Sequence, residues 1–287
     1  MFVHGDNIAQ KESIVEPKSI QAKYIKEIRA RYNKWKAANE ALIGPIATPT
    51  PSDVNIIEQR TALFNQYKDF IDQQKYAEAF DSRSNLHSSV LEEFVYYLFR
   101  DLVANISKNA LIGKSHAYKD IFYSATSFTE MVTTPCFHIE KKDRDFVIGV
   151  DISADFKCRG TENVQSERLQ IPAVAIECKT YLDKTMLEGA STAASQLMEV
   201  NPNALYIVLS EWLKLTSDVN LKKYKVDQIY ILRKQKNTDR KFRFLPTYVK
   251  NPIYADVVMH LFETVRNHLT TDWNNSNESG LERGFLI

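Results

Sequence analysis

The amino-acid sequence predicts an α/β fold: a helical N-terminal region, then a mixed β-sheet with flanking helices. Two apolar strands joined by a turn occupy residues 143–185. An amphipathic helix pattern follows them, and then come two buried strands at residues 204–209 and 228–232. This order of hairpin, helix, strand and strand is typical of an α/β core, because helices that connect strands pack back onto the sheet.

Composition sets the size of the core and argues against several kinds of site. With 287 residues, 44% of them hydrophobic, the chain can bury one large core or two modest ones. The net charge is +1, so any nucleic-acid-binding surface has to be a local basic patch. The three cysteines form no C-x-x-C pair and the six histidines no HxH or HExxH group, which argues against disulfide and zinc sites.

We expect a cytoplasmic protein that does not associate with membranes. Met1–Gln10 is polar and lacks the apolar segment of a signal peptide. No apolar run approaches the roughly 20 residues that a membrane-spanning helix needs. Gly113-Lys114-Ser115 lacks the leading glycine of a phosphate-binding loop, and no G-x-S-x-G motif is present.

The first part of the chain is predicted to be helical from Pro17 onwards. Residues 1–16 carry no periodic pattern, so we expect irregular structure there. The helix after Pro17 has an apolar face and a face rich in lysine and arginine. That basic face has two interpretations, contact with a phosphate backbone or simple solvation. The apolar positions are Ile20, Tyr24, Ile28, Tyr32 and Trp35.

A proline-rich linker at residues 43–52 divides the helical N-terminal region, which we assign to residues 1–85. Ser52 or Asp53 is a suitable cap for a second helix, which extends to about Lys75. The N-terminal region is therefore expected to hold two helices, one on each side of the linker.

We assign residues 86–270 to the core and residues 271–287 to a tail, either disordered or used for partner contact. Residues 111–134 are polar and aromatic and are expected to be irregular, and residues 135–142 are predicted to form the strand before the hairpin. Three helices are predicted in the core: Ser88 to Val103, Asp183 or Thr185 to Glu199, and Asn251-Pro252 to His268.

The first strand of the hairpin has an acidic face. From Asp145 onwards apolar residues alternate with a row that contains three aspartates, and alternate side chains of a strand point to opposite faces. Residues 160–163 predict the turn. A turn centred there places Asp145 opposite Glu177, whereas a turn near Gln165 places Asp151 in that position. We favour Asp145, which heads the apolar run, and keep Asp151 as the reserve candidate.

Glu177 and Lys179 share one face at the end of the second strand. Burying charges at the end of an apolar strand costs solvation free energy, unless a metal, a substrate or the opposite charge of the neighbouring residue compensates for that cost. The alternative is a surface salt bridge on an edge strand, which is disfavoured because the preceding Ala-Val-Ala-Ile is typical of a buried strand. Two carboxylates can hold Mg²⁺ and a lysine can orient water or stabilise a phosphate, so the set is suited to phosphodiester hydrolysis.

The pattern Asp145…Glu177-x-Lys179 resembles the PD-(D/E)xK nuclease signature, with Arg144 where the signature has proline. The E-x-K triplet alone has little specificity, since it occurs by chance in most proteins of this length. The longer string IPAVAIECKTYLDKTMLEG, together with the upstream acidic strand, resembles the heterodimeric type II restriction endonucleases. The similarity extends from about His87 to His268.

The resemblance implies a PD-(D/E)xK restriction-endonuclease-like core and Mg²⁺-dependent, sequence-specific hydrolysis of double-stranded DNA. It implies that Asp145 and Glu177 bind the metal and that Lys179 assists the attacking water. Members of the superfamily often carry a helical glutamate that joins the metal ligands, and Glu92 matches that pattern. The alternative interpretation of Glu92 is a surface carboxylate on an amphipathic helix.

The resemblance also implies a second, similar but non-identical subunit. It further implies a location in the bacterial cytoplasm. Each subunit would cut one strand of a short asymmetric, nearly palindromic site, and a homodimer of this chain alone stays open. Two other functions stay open as well: a structure-specific repair or recombination nuclease, and a non-catalytic DNA-binding subunit. The intact Asp-Glu-Lys set argues against the second of these.

Candidate DNA-contacting residues lie in two segments. Lys114 belongs to the polar segment 111–134. The most basic stretch follows the last predicted strand and has Phe242 and Phe244 interleaved, and in a nuclease core such a stretch favours contact with DNA. Its basic residues are Arg233, Lys234, Lys236, Arg240, Lys241 and Arg243.

Overall fold

The computed structural model describes residues 2–80, 85–238, 240–273, 281–282 and 284. Together these residues form five β-strands and eight α-helices, and none of those helices is both long and apolar enough to cross a membrane. The strands are β1 (Leu111–Tyr123), β2 (Phe137–Lys157), β3 (Val164–Leu182), β4 (Leu205–Leu213) and β5 (Gln228–Ile231). The helices are α1 (Val3–Ile14), α2 (Ile20–Ala41), α3 (Asp53–Ile71), α4 (Gln74–Ala79), α5 (Asn85–Ile106), α6 (Phe128–Thr133), α7 (Lys184–Val200) and α8 (Ala255–Thr270).

The strands form one mixed sheet in the order β1-β2-β3-β4-β5. β1, β2 and β3 are antiparallel neighbours, whereas β3, β4 and β5 run parallel. Helices α5 and α8 cover one face of the sheet and α7 covers the other. This architecture confirms the predicted α/β fold. Because β3 lies between β2 and β4, Glu177 and Lys179 are on a central strand, which excludes the edge-strand interpretation.

The hairpin has the register that we favoured. β2 and β3 are connected by residues 158–163, which contain the predicted turn. Phe146 pairs with Ile176. One further step along this register places Asp145 opposite Glu177, so the two carboxylates meet at the same level of the sheet.

A glycine allows the long hairpin to change register. The β2–β3 pairing shifts by one residue at Gly149, which pairs with Pro172. A Cβ atom at Gly149 would lie 2.2 Å from the carbonyl oxygen of Ile171. Only glycine permits this close approach of two backbones.

Two predictions for the segment before the hairpin are wrong. Residues 111–134, expected to be irregular, contain β1 and α6, and the strand predicted at 135–142 is continuous with the acidic strand in β2. β1 pairs with β2 from Leu111 to Tyr123. Much of this outer part of the sheet is exposed to solvent on both faces, so its strands are rich in polar residues and lack the apolar alternation that identifies a strand.

The remaining predicted helices are confirmed. The predicted cap of α3 is wrong, because Ser52 makes no side-chain capping hydrogen bond and Asp53 accepts from Thr50 before the helix. Helices α2 and α7 have side-chain caps. Ser19 accepts a hydrogen bond from the N–H of Ala22 and begins α2, and Asp183 does the same for Met186 at the start of α7. Helix α3 ends at Ile71, four residues before the predicted end. Most of the predicted tail, residues 271–287, lies outside the described residues.

Helix α1 occupies the segment that was expected to be irregular. Its first turn lies against Glu93 of α5, whose Oε2 accepts hydrogen bonds from the backbone N–H of His4 (2.9 Å) and of Gly5 (3.1 Å). The other oxygen of Glu93 accepts from the hydroxyls of Tyr32 and Tyr97, both at 2.9 Å. A carboxylate at a helix N-terminus accepts hydrogen bonds from the free N–H groups and interacts favourably with the positive end of the helix dipole. Helix α1 is therefore stabilised by a residue distant in the sequence.

The N-terminal helices share one apolar core with α5, α8 and one face of the sheet. The proline-rich segment at residues 43–52 is anchored to this core: Gly44 N–H donates to Asp101 Oδ2 at 2.7 Å. The fully buried guanidinium of Arg60 donates to the carbonyl oxygens of Gly44 (2.9 Å) and Leu42 (2.8 Å). The segment therefore connects packed helices by a fixed path.

Replacement of Glu93 by glutamine is expected to destabilise the protein. The Glu93→Gln side chain keeps one acceptor oxygen and points an NH₂ group at two of the four donors. We expect the free energy of unfolding to fall by about 2–4 kcal/mol, measured by urea unfolding. Glu58→Gln makes the same change on an exposed face of α3 and should have an effect below about 0.5 kcal/mol. Equal stability of the two variants would contradict this role of Glu93.

Candidate active site

The structure brings Asp145, Glu177 and Lys179 together at the sheet. The ammonium Nζ of Lys179 lies 2.8 Å from Glu177 Oε1 and 3.4 Å from Asp145 Oδ2. The backbone N–H of Cys178 donates to the same Asp145 oxygen at 2.9 Å. Cys178 itself packs into the core on the opposite face. A strand with alternating faces thus supplies both a buried anchor and two charged groups.

Each charge in this group maintains the others. Burial disfavours the charged form of Lys179, but the negative charges of Asp145 and Glu177 outweigh it and raise the pKa of Lys179. Burial likewise disfavours the carboxylate of Glu177, but Lys179 and a hydrogen bond from Tyr206 lower its pKa below the usual value. Lys179 is therefore an ammonium near neutral pH, able to orient water or stabilise negative charge but unable to accept a proton.

Two residues that the sequence did not indicate, Tyr206 and Arg144, support the carboxylate of Glu177. The hydroxyl of Tyr206 on β4 donates to Glu177 Oε2 at 2.6 Å. Arg144 donates to the Tyr206 hydroxyl (3.3 Å) and to the carbonyl oxygen of Ala193 (3.1 Å). Arg144 occupies the position of the signature proline and is buried, with only 4% of its surface exposed. Nothing in the local sequence marks Tyr206, although a charged residue beside Asp145 was visible.

A bulge in β2 explains how neighbouring residues reach the same group. Gly113 of β1 pairs with Val147, and Ser115 pairs with Arg144, so two steps along β1 match three along β2. The extra residue in β2 interrupts the alternation of its side chains. Arg144 and Asp145 consequently both point towards the residues around Glu177.

Glu92 of α5 lines the same cleft. Its Oε2 atom is buried and makes no hydrogen bond with the described residues. Burial, followed by the charge of Asp145, raises the pKa of Glu92 to about 7. The cleft has a volume of about 440 Å³, and the polar residues of its wall include Asn7, Ser88, Glu92, Lys114, Asp145, Lys179 and Arg240.

Asp151, the reserve candidate, is not part of this group. It pairs with Gln170 across the hairpin, and its carboxylate binds the guanidinium of Arg168, with Nε at 2.7 Å. Asp145, which contacts Lys179, is the aspartate that the geometry favours.

The predicted basic stretch is divided between the interior and the surface. Arg233 is fully buried, donates to Glu211 Oε2 at 3.0 and 3.1 Å and to the carbonyl oxygen of Asn251, and so cannot be part of an exposed basic surface, which corrects its assignment. Lys234 is exposed and forms an ion pair with Asp256. Lys236 and Lys241 are exposed, and Arg240 and Arg243 are half-buried.

Comparison with known proteins identifies the family. Residues 83–286 match the model for the Bpu10I restriction endonuclease. The chain belongs to this family. It is a type II site-specific deoxyribonuclease. Membership in the Bpu10I restriction endonuclease family favours site-specific cleavage over the structure-specific and non-catalytic alternatives.

The fold agrees with this family assignment. The chain is similar to a chain of a solved structure described as the native BbvCI A2B2 tetramer at low resolution, with a TM-score of 0.70 and 19% sequence identity. The alignment covers 94% of this chain and 97% of that chain. A comparison with curated proteins gave no significant match.

Loss of the Tyr206 hydroxyl is expected to slow DNA cleavage without weakening DNA binding. In Tyr206→Phe the carboxylate of Glu177 loses its donor, so we expect kcat to fall about 10-fold, or about 1.4 kcal/mol in the activation free energy, with KM for DNA unchanged. Steady-state kinetics measures both, and Tyr224→Phe, in the same apolar cluster, is the control. A Tyr206→Phe enzyme with the wild-type kcat would show that Glu177 needs no such support.

Proposed function

We propose that this chain hydrolyses one strand of double-stranded DNA within a short asymmetric, nearly palindromic site, with Mg²⁺ as the cofactor. A second, similar subunit would cut the other strand. The observation that carries the proposal is the contact of the Lys179 ammonium with the carboxylates of both Asp145 and Glu177. Asp145 and Lys179 line an open cleft, and two carboxylates with one ammonium are suited to metal-dependent phosphodiester hydrolysis.

The donor set fits a hard divalent cation. No group of three His, Cys, Asp or Glu side chains at metal-ligand spacing occurs within the described residues, but Mg²⁺ is commonly bound by one or two carboxylates, with waters and substrate phosphates completing its ligands. Asp145 and Glu177 would hold it. Glu92 could join them, because its buried oxygen lacks a donor and its pKa is raised partly by the charge of Asp145.

Metal and protein groups would divide the chemistry. When bound, the metal polarises the scissile phosphate and lowers the pKa of a coordinated water. Lys179, as an ammonium, orients the attacking water and stabilises negative charge on the phosphate. Tyr206 and Arg144 keep the Glu177 carboxylate in one orientation. Lys114 and Arg240 add positive charge to the wall of the cleft that the DNA backbone would follow.

The number of subunits follows from the number of sites. The described residues contain one Asp-Glu-Lys set, which suits one strand per chain. The BbvCI structure is described as an A2B2 tetramer, with two kinds of chain. The first observation supports two chains for a double-strand cut, and the second supports a non-identical partner. A homodimer of this chain alone is the alternative that activity of the isolated chain would reveal. The exposed Lys236 and Lys241 are proposed to contact DNA.

Glu177→Ala is expected to abolish cleavage in this chain. Removal of a metal-binding carboxylate should lower the cleavage rate at least about 100-fold. The measurement is conversion of supercoiled plasmid to open-circular and linear forms, with Mg²⁺ and with EDTA. Glu188→Ala removes an exposed glutamate from α7 and should cut normally. Cleavage by Glu177→Ala at the wild-type rate would exclude the proposed site.

Inactivation of this subunit alone should turn the paired enzyme into a nicking enzyme. With Glu177→Ala in this chain and a wild-type partner, only the partner's strand should break. Plasmid should therefore accumulate as open circles, and sequencing across the nick should place every break in one strand. Linear product from this assembly would contradict the division of one strand per subunit.

A further inference from the structure

A second cavity lies beside the active-site cleft. It has a volume of about 130 Å³ and shares Thr180 and Arg240 with the cleft. Consecutive residues of α5 also line the two spaces, His87 the second cavity and Ser88 the cleft. The second cavity is therefore next to the path of any strand that enters the active site.

Four buried polar atoms without a hydrogen-bond partner belong to side chains that line this one cavity. Within the part of the chain that the structure describes, His87 Nε2, Trp212 Nε1, Arg240 Nε and the Tyr248 hydroxyl all lack partners. His87 and Trp212 are more than nine-tenths buried. The indole and guanidinium nitrogens can only donate, so the group that satisfies them must be an acceptor. Unpaired buried polar atoms are rare in proteins, and four in side chains around one cavity indicate a ligand.

The charge of the lining favours an anionic acceptor. Four positive residues line the cavity, against the single carboxylate of Asp72. Lys68 and Lys250 are neutralised by acidic partners, but Arg240 and Arg243 form no ion pair with a described carboxylate. Burial, and then the positive charge of Arg240, lower the pKa of Arg243. Two guanidiniums close in sequence that form no ion pair with a described carboxylate suit a phosphate group, because guanidinium N–H groups bind phosphate oxygens in pairs.

We propose that this cavity binds a phosphate group of the DNA backbone, on the strand that passes the catalytic residues. The assignment rests on the proposed function, since only a DNA substrate would bring a phosphate to this side of the cleft in a fixed position. The shared Thr180 and Arg240 link the two spaces, so a backbone phosphate bound here would fix the position of the strand relative to Asp145 and Glu177. Free inorganic phosphate or a mononucleotide is the other source of the same chemistry.

Salt dependence of DNA binding tests the proposal. The complete assembly, with Glu177→Ala in this chain to prevent cleavage of its strand, is titrated with duplex DNA over a range of salt concentrations. Loss of one phosphate contact should reduce the slope of log K against log salt by about one. We expect this reduction for Arg243→Gln but not for Arg243→Lys, which keeps the charge. Lys223→Gln, an exposed residue outside the cavity, removes one charge elsewhere and should leave the slope unchanged.

Two further measurements keep the result interpretable. Tyr248→Phe removes only one hydroxyl and should weaken DNA binding a few-fold, even if Arg243→Gln fails to fold. Thermal unfolding of the wild type with and without inorganic phosphate tests the other source. An unchanged slope in folded Arg243→Gln overturns the proposal, and stabilisation by inorganic phosphate together with an unchanged slope assigns the cavity to a free anion instead. Failure of the proposed function would appear differently, as absence of plasmid cleavage by the wild type.

Discussion

The register between β2 and β3 determines which carboxylates form the active site. Successive residues of a strand point to opposite faces, so a slip of one residue would turn Asp145 away from Lys179. The register is specified by burial: Phe146 and Ile176 pair within the core beneath α5 and α8. The apolar contacts that stabilise the fold therefore also place the charged groups, and a core mutation that loosened this pairing would affect catalysis as directly as a change in the site.

Charge balance is the second constraint. Lys179 lies between two carboxylates, and Tyr206 with Arg144 supports one of them, so most charges at the site have a partner. Glu92 lacks such support in the cleft: burial, and then the charge of Asp145, raise its pKa. A divalent cation bound beside it would favour its carboxylate form. An argument of opposite sign applies to the neighbouring cavity, where Arg240 and Arg243 form no ion pair with a described carboxylate.

The local sequence pattern was sufficient to predict the hairpin, α7 and the grouping of Asp145, Glu177 and Lys179, because the alternation of side chains along a strand and the capping of a helix depend on only a few residues. It was insufficient where stability comes from distant contacts. Helix α1 depends on Glu93, which is 89 residues from His4, and Tyr206 reaches Arg144 across 62 residues. The prediction that Arg233 contacts DNA was wrong, because Glu211, 22 residues earlier in the chain, binds its guanidinium in the core.

The central claim is that Asp145 and Glu177 together bind a divalent cation beside Lys179. Anomalous diffraction from crystals soaked in Mn²⁺ tests it most directly, since it locates the ion without reference to activity. The account predicts an anomalous peak about 2 Å from a carboxylate oxygen of each residue, and loss of that peak in Asp145→Asn. An ion bound elsewhere in the cleft, with neither carboxylate as a ligand, would contradict the account.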